Sequence, residues 1–276
     1  MHLSQRPLGR TGVSVTSLGL GGEGILRTYG RHREAQQVIQ AALQAGIRYF
    51  ESARAYSDSE VYLGEGLKGH RHEVFLTSKS HGRSRQEAEA HLHTTLQNLQ
   101  TDHLDLWQVH DLRTADEVRA IGQPGGALEA FYRAQELGKT RFIGVTGHHD
   151  PEILRLAINT YDFDTILLPV NPAEPYHRSF LPLAQEAAAR GLGVIGMKVL
   201  CRGVLPQLFD NALPYFIQYA LSQPVSVIVI GAETTAQVQE LAVAAAKFTP
   251  MTPERQQILV DDMQLYARQM MYYKPK

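Results

Sequence analysis

The chain has 276 residues, 43% of them hydrophobic and 20% charged, with a formal net charge of -1. That balance suits a globular protein and offers no basic surface for capturing nucleic acid or an anionic membrane. One cysteine, Cys201, forbids an internal disulfide, the Met1 to Pro7 start lacks a signal peptide's apolar run, and no uncharged stretch reaches membrane-helix length, so the expectation is a cytoplasmic protein.

In chain order, residues 6–17 read as a small hairpin around Gly9-Arg10-Thr11-Gly12, placed to plug one end of a sheet. Ser17 to Leu20 reads as a buried strand entering Gly21-Gly22-Glu23-Gly24, where glycines serve either a tight turn or close approach of backbone to a ligand. Strands and helices then alternate. A helix over 32–45 stops at Gly46 before a strand over 47–50, and a helix over 57–67 precedes a strand over 74–78. Ser84 and Glu87 form a capping box for a helix to Leu99, followed by a strand over 104–109. A loop over 111–123 and a helix over 126–137 lead to a strand over 141–146, and Asp150-Pro151 opens a helix to Tyr161. The pattern continues with strand 165–170, helix 180–190, strand 193–197, helix 213–222, strand 225–230 and helix 236–247, and ends with an additional C-terminal helix over 253–270. The strands are near-continuous apolar runs, as a parallel sheet buried on both faces requires. Eight such repeats with right-handed crossovers predict a (β/α)8 TIM barrel with an N-terminal hairpin and an additional C-terminal helix. Even composition throughout predicts a single domain over 1–276.

Successive strands carry chemistry to one rim. Glu51 and Tyr56 stand at or just past the end of the second strand, Lys79 past the third and His110 past the fourth. The set suits proton donation to a carbonyl oxygen: a phenol is a weak acid, a nearby ammonium lowers its pKa, a carboxylate holds the lysine, and an imidazole places the carbonyl. Taken singly, each has a plainer reading: a half-buried aromatic, a rim lysine with a solvated head, a satisfied polar group, a capping or salt-bridging acid. Convergence of all four on one rim argues for function.

Phe50-Glu51-Ser52-Ala53-Arg54-Ala55-Tyr56, followed by Ser59-Glu60 and Leu63-Gly64, resembles the aldo-keto reductase signature Phe-Asp-Thr-Ala-x-x-Tyr-Gly-x-Ser-Glu-x-x-Leu-Gly. The likeness runs from Leu8 to Ala232 with the motifs in family order, and it implies the barrel fold. By that resemblance Tyr56 is the general acid, Lys79 lowers its pKa and His110 orients the substrate carbonyl, with Glu51 standing where the family has aspartate. It also implies a nicotinamide cofactor, NADP by family default. Gly21 and Gly22 match the loop near the nicotinamide; Thr146-Gly147 replaces the family's Ser-Asn, and Asn171 matches the second carboxamide-binding position. Met197 takes the stacking tyrosine's place, with Lys198, Val199, Arg202 and Gly203 along the pyrophosphate. Gly231, Glu233, Thr234, Gln237 and Glu240 match the adenosine loop, which lacks the usual basic residue and so leaves NAD possible.

His148-His149-Asp150, at the same rim, is a ligand or substrate-contact candidate through His148 and His149, with Asp150 read as a helix cap. The pairs His70/His72 and His91/His93 lie in a turn and within a helix, where residues two apart do not share a face, so no metal is expected. The expected function is NAD(P)H-dependent reduction of a small-molecule aldehyde or ketone to an alcohol. The alternatives are an NADP(H)-binding sensor barrel with little turnover and, more weakly supported, a metal-dependent barrel hydrolase. Substrate choice falls to the 111–123 segment and the tail at Tyr272-Tyr273, and oligomeric state is not legible.

Overall fold

The structure, a computed structural model, describes residues 2–208 and 211–274, with residues 202, 206 and 208 described by backbone alone. Strands β1 (Gln5–Pro7) and β2 (Ser14–Thr16) form an antiparallel hairpin. Eight parallel strands follow: β3 (Leu18–Gly24), β4 (Tyr49–Glu51), β5 (Phe75–Ser80), β6 (Leu104–Val109), β7 (Thr140–Thr146), β8 (Thr165–Pro169), β9 (Gly193–Met197) and β10 (Val227–Ala232). They close into a barrel in chain order, β10 pairing back onto β3. Helices α1 (His32–Gln44), α2 (Ser59–Gly66), α3 (Arg85–Asn98), α4 (Ala115–Gly122), α5 (Ala127–Glu136), α6 (Pro151–Thr160), α7 (Leu181–Ala189), α8 (Leu205–Leu208), α9 (Leu213–Leu221), α10 (Thr235–Ala246) and α11 (Pro253–Met270) complete it. The (β/α)8 TIM barrel, its hairpin and its C-terminal helix are all present.

Inward-facing side chains fill the barrel instead of leaving a pore. Tyr49, Phe75, Leu106, Leu167, Ile195 and Val227 form one interior cluster, closed by the hairpin's Leu8, which is fully buried. The plug works because Gly9 (φ +53°) lets the hairpin backbone lie against residues 191–193; a Cβ there would stand 2.2 Å from Gly193 N. The larger cluster lies between strands and outer helices. A third joins Met263, Ala267 and Met270 of α11 to Ala173, Cys201 and Phe216, so the last helix covers the loops after β8 and β9.

Several expectations need correction. The 111–123 segment is not all loop: Thr114 caps α4 by accepting a hydrogen bond from Glu117 N, and Val118 and Ile121 are buried. Its Thr-x-x-Glu spacing is a helix-start signature, and two buried positions are too few to stand out as periodicity. The glycines after Leu20 continue β3 instead of leaving the sheet, and Lys79 lies inside β5. The second barrel strand begins at Tyr49, not Ile47. Among the described residues, no helix is long and apolar enough to cross a membrane.

Candidate active site

The registers of β4, β5 and β6 bring the candidate residues to one corner. Glu51 pairs with Thr77, and Lys79 follows Thr77 on the same face of β5. The longer glutamate side chain therefore reaches forward along the rim: Lys79 Nζ donates to Glu51 Oε1 and to Ser52 O, each at 2.8 Å. Both side chains are buried, so the pair is screened from water and Glu51 still engages the lysine despite its extra methylene. Tyr56 lies on the loop between β4 and α2, with Lys79 Nζ 4.9 Å from its ring centroid. The edge of the His110 ring meets the Tyr56 ring at 5.7 Å and 80°. Among the described residues, no hydrogen bond engages the Tyr56 hydroxyl or the His110 ring nitrogens. The loop itself is held by buried Glu60, whose carboxylate accepts from Ser78 Oγ and Thr95 Oγ1 at 2.7 Å and pairs with Arg54.

The phenol's proton is held more tightly than the sequence suggested. Burial, then the charges of Glu23 and Glu51, push the Tyr56 pKa upward, opposed by Arg27. The expected lowering by Lys79 does not prevail, because burial of the phenol outweighs it. Arg27 was not anticipated: its guanidinium lies 4.6 Å from the Tyr56 ring centroid and pairs with Glu23 at 2.7 Å. It ends a one-turn 3-10 helix over Ile25–Arg27, with no motif spacing to betray it. His110 is pushed down, chiefly by burial and then by Lys79, so its imidazole is neutral.

From Tyr56 and Glu51 a cleft of about 820 Å³ runs across the rim. Gly21 and Gly22 border it near the phenol; Met197, Lys198, Val199 and Gly203 form one wall. Gly231, Glu233, Gln237 and Glu240 lie at the α10 end. Gly203 (φ +78°) would carry a Cβ into open space, so at this one point of the wall the backbone is bare and a ligand can approach it closely. Thr234 caps α10 by accepting from Gln237 N. The side chain of Arg202 lies outside the described residues.

Residues 17–216 match the sequence model of the Aldo/keto reductase family. The chain belongs to the aldo-keto reductase family. It is 27% identical over 223 residues to L-galactose dehydrogenase of Arabidopsis thaliana, covering 73% of this chain and 67% of that protein. The solved aldo-keto reductase of Bacillus halodurans in its holo form superposes with a TM-score of 0.77 at 22% identity, over 95% of this chain and 96% of that one. An aldo-keto reductase from Klebsiella pneumoniae in complex with NADPH gives 0.75 at 20% identity, over 97% and 96%. Family membership makes the chain an NAD(P)H-dependent oxidoreductase.

Other anticipated residues of this aldo-keto reductase do not line the cleft itself. Thr146 Oγ1 accepts from Asp111 N at 2.9 Å, and Gly147 is packed against Leu112 and Leu154. Asn171 is fully buried: its amide donates to Lys198 O at 3.1 Å and to the Tyr273 hydroxyl at 3.3 Å, and its oxygen accepts from Ala173 N at 3.1 Å. Tyr273 belongs to a tail secured by Lys274, which donates to the Glu174 carboxylate at 2.7 Å with both side chains buried. Tyr272 is 46% exposed. His148 and His149 stand together with ring centroids 4.9 Å apart, and burial lowers both pKa values, that of His148 to about 4. Asp150 caps α6 through Glu152 N. Burial pushes the Cys201 thiol up to about 12, which makes it unreactive.

Proposed function

We propose that the protein reduces a small aldehyde or ketone, with Tyr56 donating the proton to the carbonyl oxygen. The observation that carries this reading is the corner itself: a protonated, unengaged phenol on a cleft, beside a buried Lys79–Glu51 pair and a neutral His110. As negative charge grows on the carbonyl oxygen, its affinity for a proton rises, and the phenol supplies one. Lys79 stabilises the phenolate left behind, a stabilisation that grows in the transition state. Neutral His110 donates a hydrogen bond that places the oxygen without competing for the proton.

The cleft fits a nicotinamide dinucleotide in size and in its exposed backbone at Gly203, and the ammonium of Lys198 suits a pyrophosphate. A bound NADPH would supply the hydride, as its presence in the Klebsiella pneumoniae relative suggests. Glu233 and Glu240 repel a 2′-phosphate and favour a free ribose diol, which leaves NADH as a second cofactor. Titration with each cofactor, followed by fluorescence, separates the two. Tyr56→Phe should lower carbonyl reduction by about 10²–10⁴-fold while cofactor affinity holds. Reduction that survives the substitution overturns the assignment.

One observation favours a second reading, a cofactor-binding sensor with little turnover: the side-chain atoms expected to clamp the carboxamide, on Thr146 and Asn171, are engaged by the protein itself. Tight NADPH binding with no turnover across a broad carbonyl panel would select it.

A further inference from the structure

The ends of β6 and β7 bring three metal-competent side chains together. Val109 pairs with Val145, so the residues just beyond these strands, Asp111 on one side and His148-His149 on the other, leave the barrel side by side. One donor atom from each lies within 4.8 Å of the other two, the group of this kind found among the described residues. Two of the donors lack partners where partners are expected. Asp111 Oδ1 and His149 Nε2 are buried and accept or donate no hydrogen bond, although burying such atoms unpaired is costly.

The carboxylate is presented in the way metal ligands are held. Arg113 grips the other oxygen, Oδ2, with Nε at 2.7 Å and Nη2 at 2.6 Å. The Asp111 backbone N–H is fixed by Thr146 Oγ1, and its φ of +56° lies in the left-handed region that few residues other than glycine adopt. One oxygen is thus oriented by a second partner while Oδ1 is left facing the histidines, the arrangement by which outer partners aim a ligand. His148 Nδ1 stands 3.3 Å from Oδ1 without meeting hydrogen-bond geometry. Two ligands about 2.0–2.1 Å from a tetrahedral ion are separated by roughly 3.3 Å. The site is largely withdrawn from solvent, with the side chains of His148 and Asp111 20% and 14% exposed.

We propose that Asp111, His148 and His149 bind one divalent transition-metal ion, two imidazoles and one carboxylate leaving at least one coordination position open. This donor set suits zinc or iron(II) over magnesium or calcium, which prefer all-oxygen cages. The site adjoins the Tyr56 corner through His110 but shares no residue with it, and it does not depend on the reductase reading. The ion would tie the loop after β6 to the loop after β7, at the rim beside His110.

The test uses untagged, chelator-stripped protein titrated with Zn²⁺ by calorimetry and with Co²⁺ by visible absorption. The wild type should take up one equivalent, and Co²⁺ should develop the absorption bands of a nitrogen- and oxygen-ligated ion. His149→Ala removes a ligand whose Nε2 makes no hydrogen bond, so the fold should survive and stoichiometric uptake should vanish. Arg113→Ala, which releases the carboxylate, should weaken binding by about 10–100-fold. Absence of one-equivalent uptake overturns the proposal. So does uptake that persists in His149→Ala, which would place the ion on other histidines such as His70 and His72.

Discussion

At the ends of β4, β5 and β6, the Tyr56 hydroxyl and the His110 ring carry no hydrogen bond among the described residues, and Lys79 and Glu51 are aligned beside a cleft. Past β7 and β8, the polar atoms turn inward: Thr146 serves Asp111, Asn171 is shared among Ala173, Lys198 and Tyr273, and Lys274 pins the tail to Glu174. A group already bonded to its own chain must break that bond before it can serve a ligand. The first group therefore leaves polar atoms available to a ligand, while Thr146, Asn171 and Lys274 hold the barrel's cover in place.

The largest effect should come from the first group. Lys79→Met, like Tyr56→Phe, should cut kcat by about 10²–10⁴-fold, and a loss confined to stability would erase the distinction between the two groups. In the second group, Lys274→Met strands a buried carboxylate and should destabilise folding by about 3–5 kcal/mol in urea denaturation. The double variant Glu174→Gln/Lys274→Met should recover most of that loss, since burial already raises the Glu174 pKa and lowers that of Lys274. If it recovers nothing, the pair contributes more than mutual neutralisation. Asn171→Ala should lower stability by about 1–3 kcal/mol while shifting cofactor Kd less than about threefold. A Kd loss outweighing the stability loss would move Asn171 into the first group.

The smallest expected effect is a flat one. Raising the Tyr56 pKa keeps its acid form present on the alkaline side, and lowering that of His110 keeps the imidazole neutral through the ordinary histidine range. kcat/KM for carbonyl reduction should then hold level from about pH 6.5 to 9. A descending limb near neutrality would show that Lys79, not burial, governs the phenol.

The barrel and the convergence of four polar side chains on one rim were legible in the chain itself, because both rest on local signals. Apolar runs of strand length alternate with helical spacing, glycines stop the helices, and a strand's last residues reach the rim wherever the strand ends. Glu51, Tyr56, Lys79 and His110 could be named on those grounds. What needed tertiary structure was the state of each group. The direction of the Tyr56 shift depends on burial and on Glu23 and Arg27, which reach it from β3 and the short helical turn after it. The engagement of Asn171 depends on Tyr273, 102 residues away, and the meeting of Asp111 with His148 on the register of two neighbouring strands. Sequence spacing records which side chains stand at a rim. Which of their atoms remain free is decided by long-range packing, because a hydrogen bond is used up by whichever partner the fold brings closest.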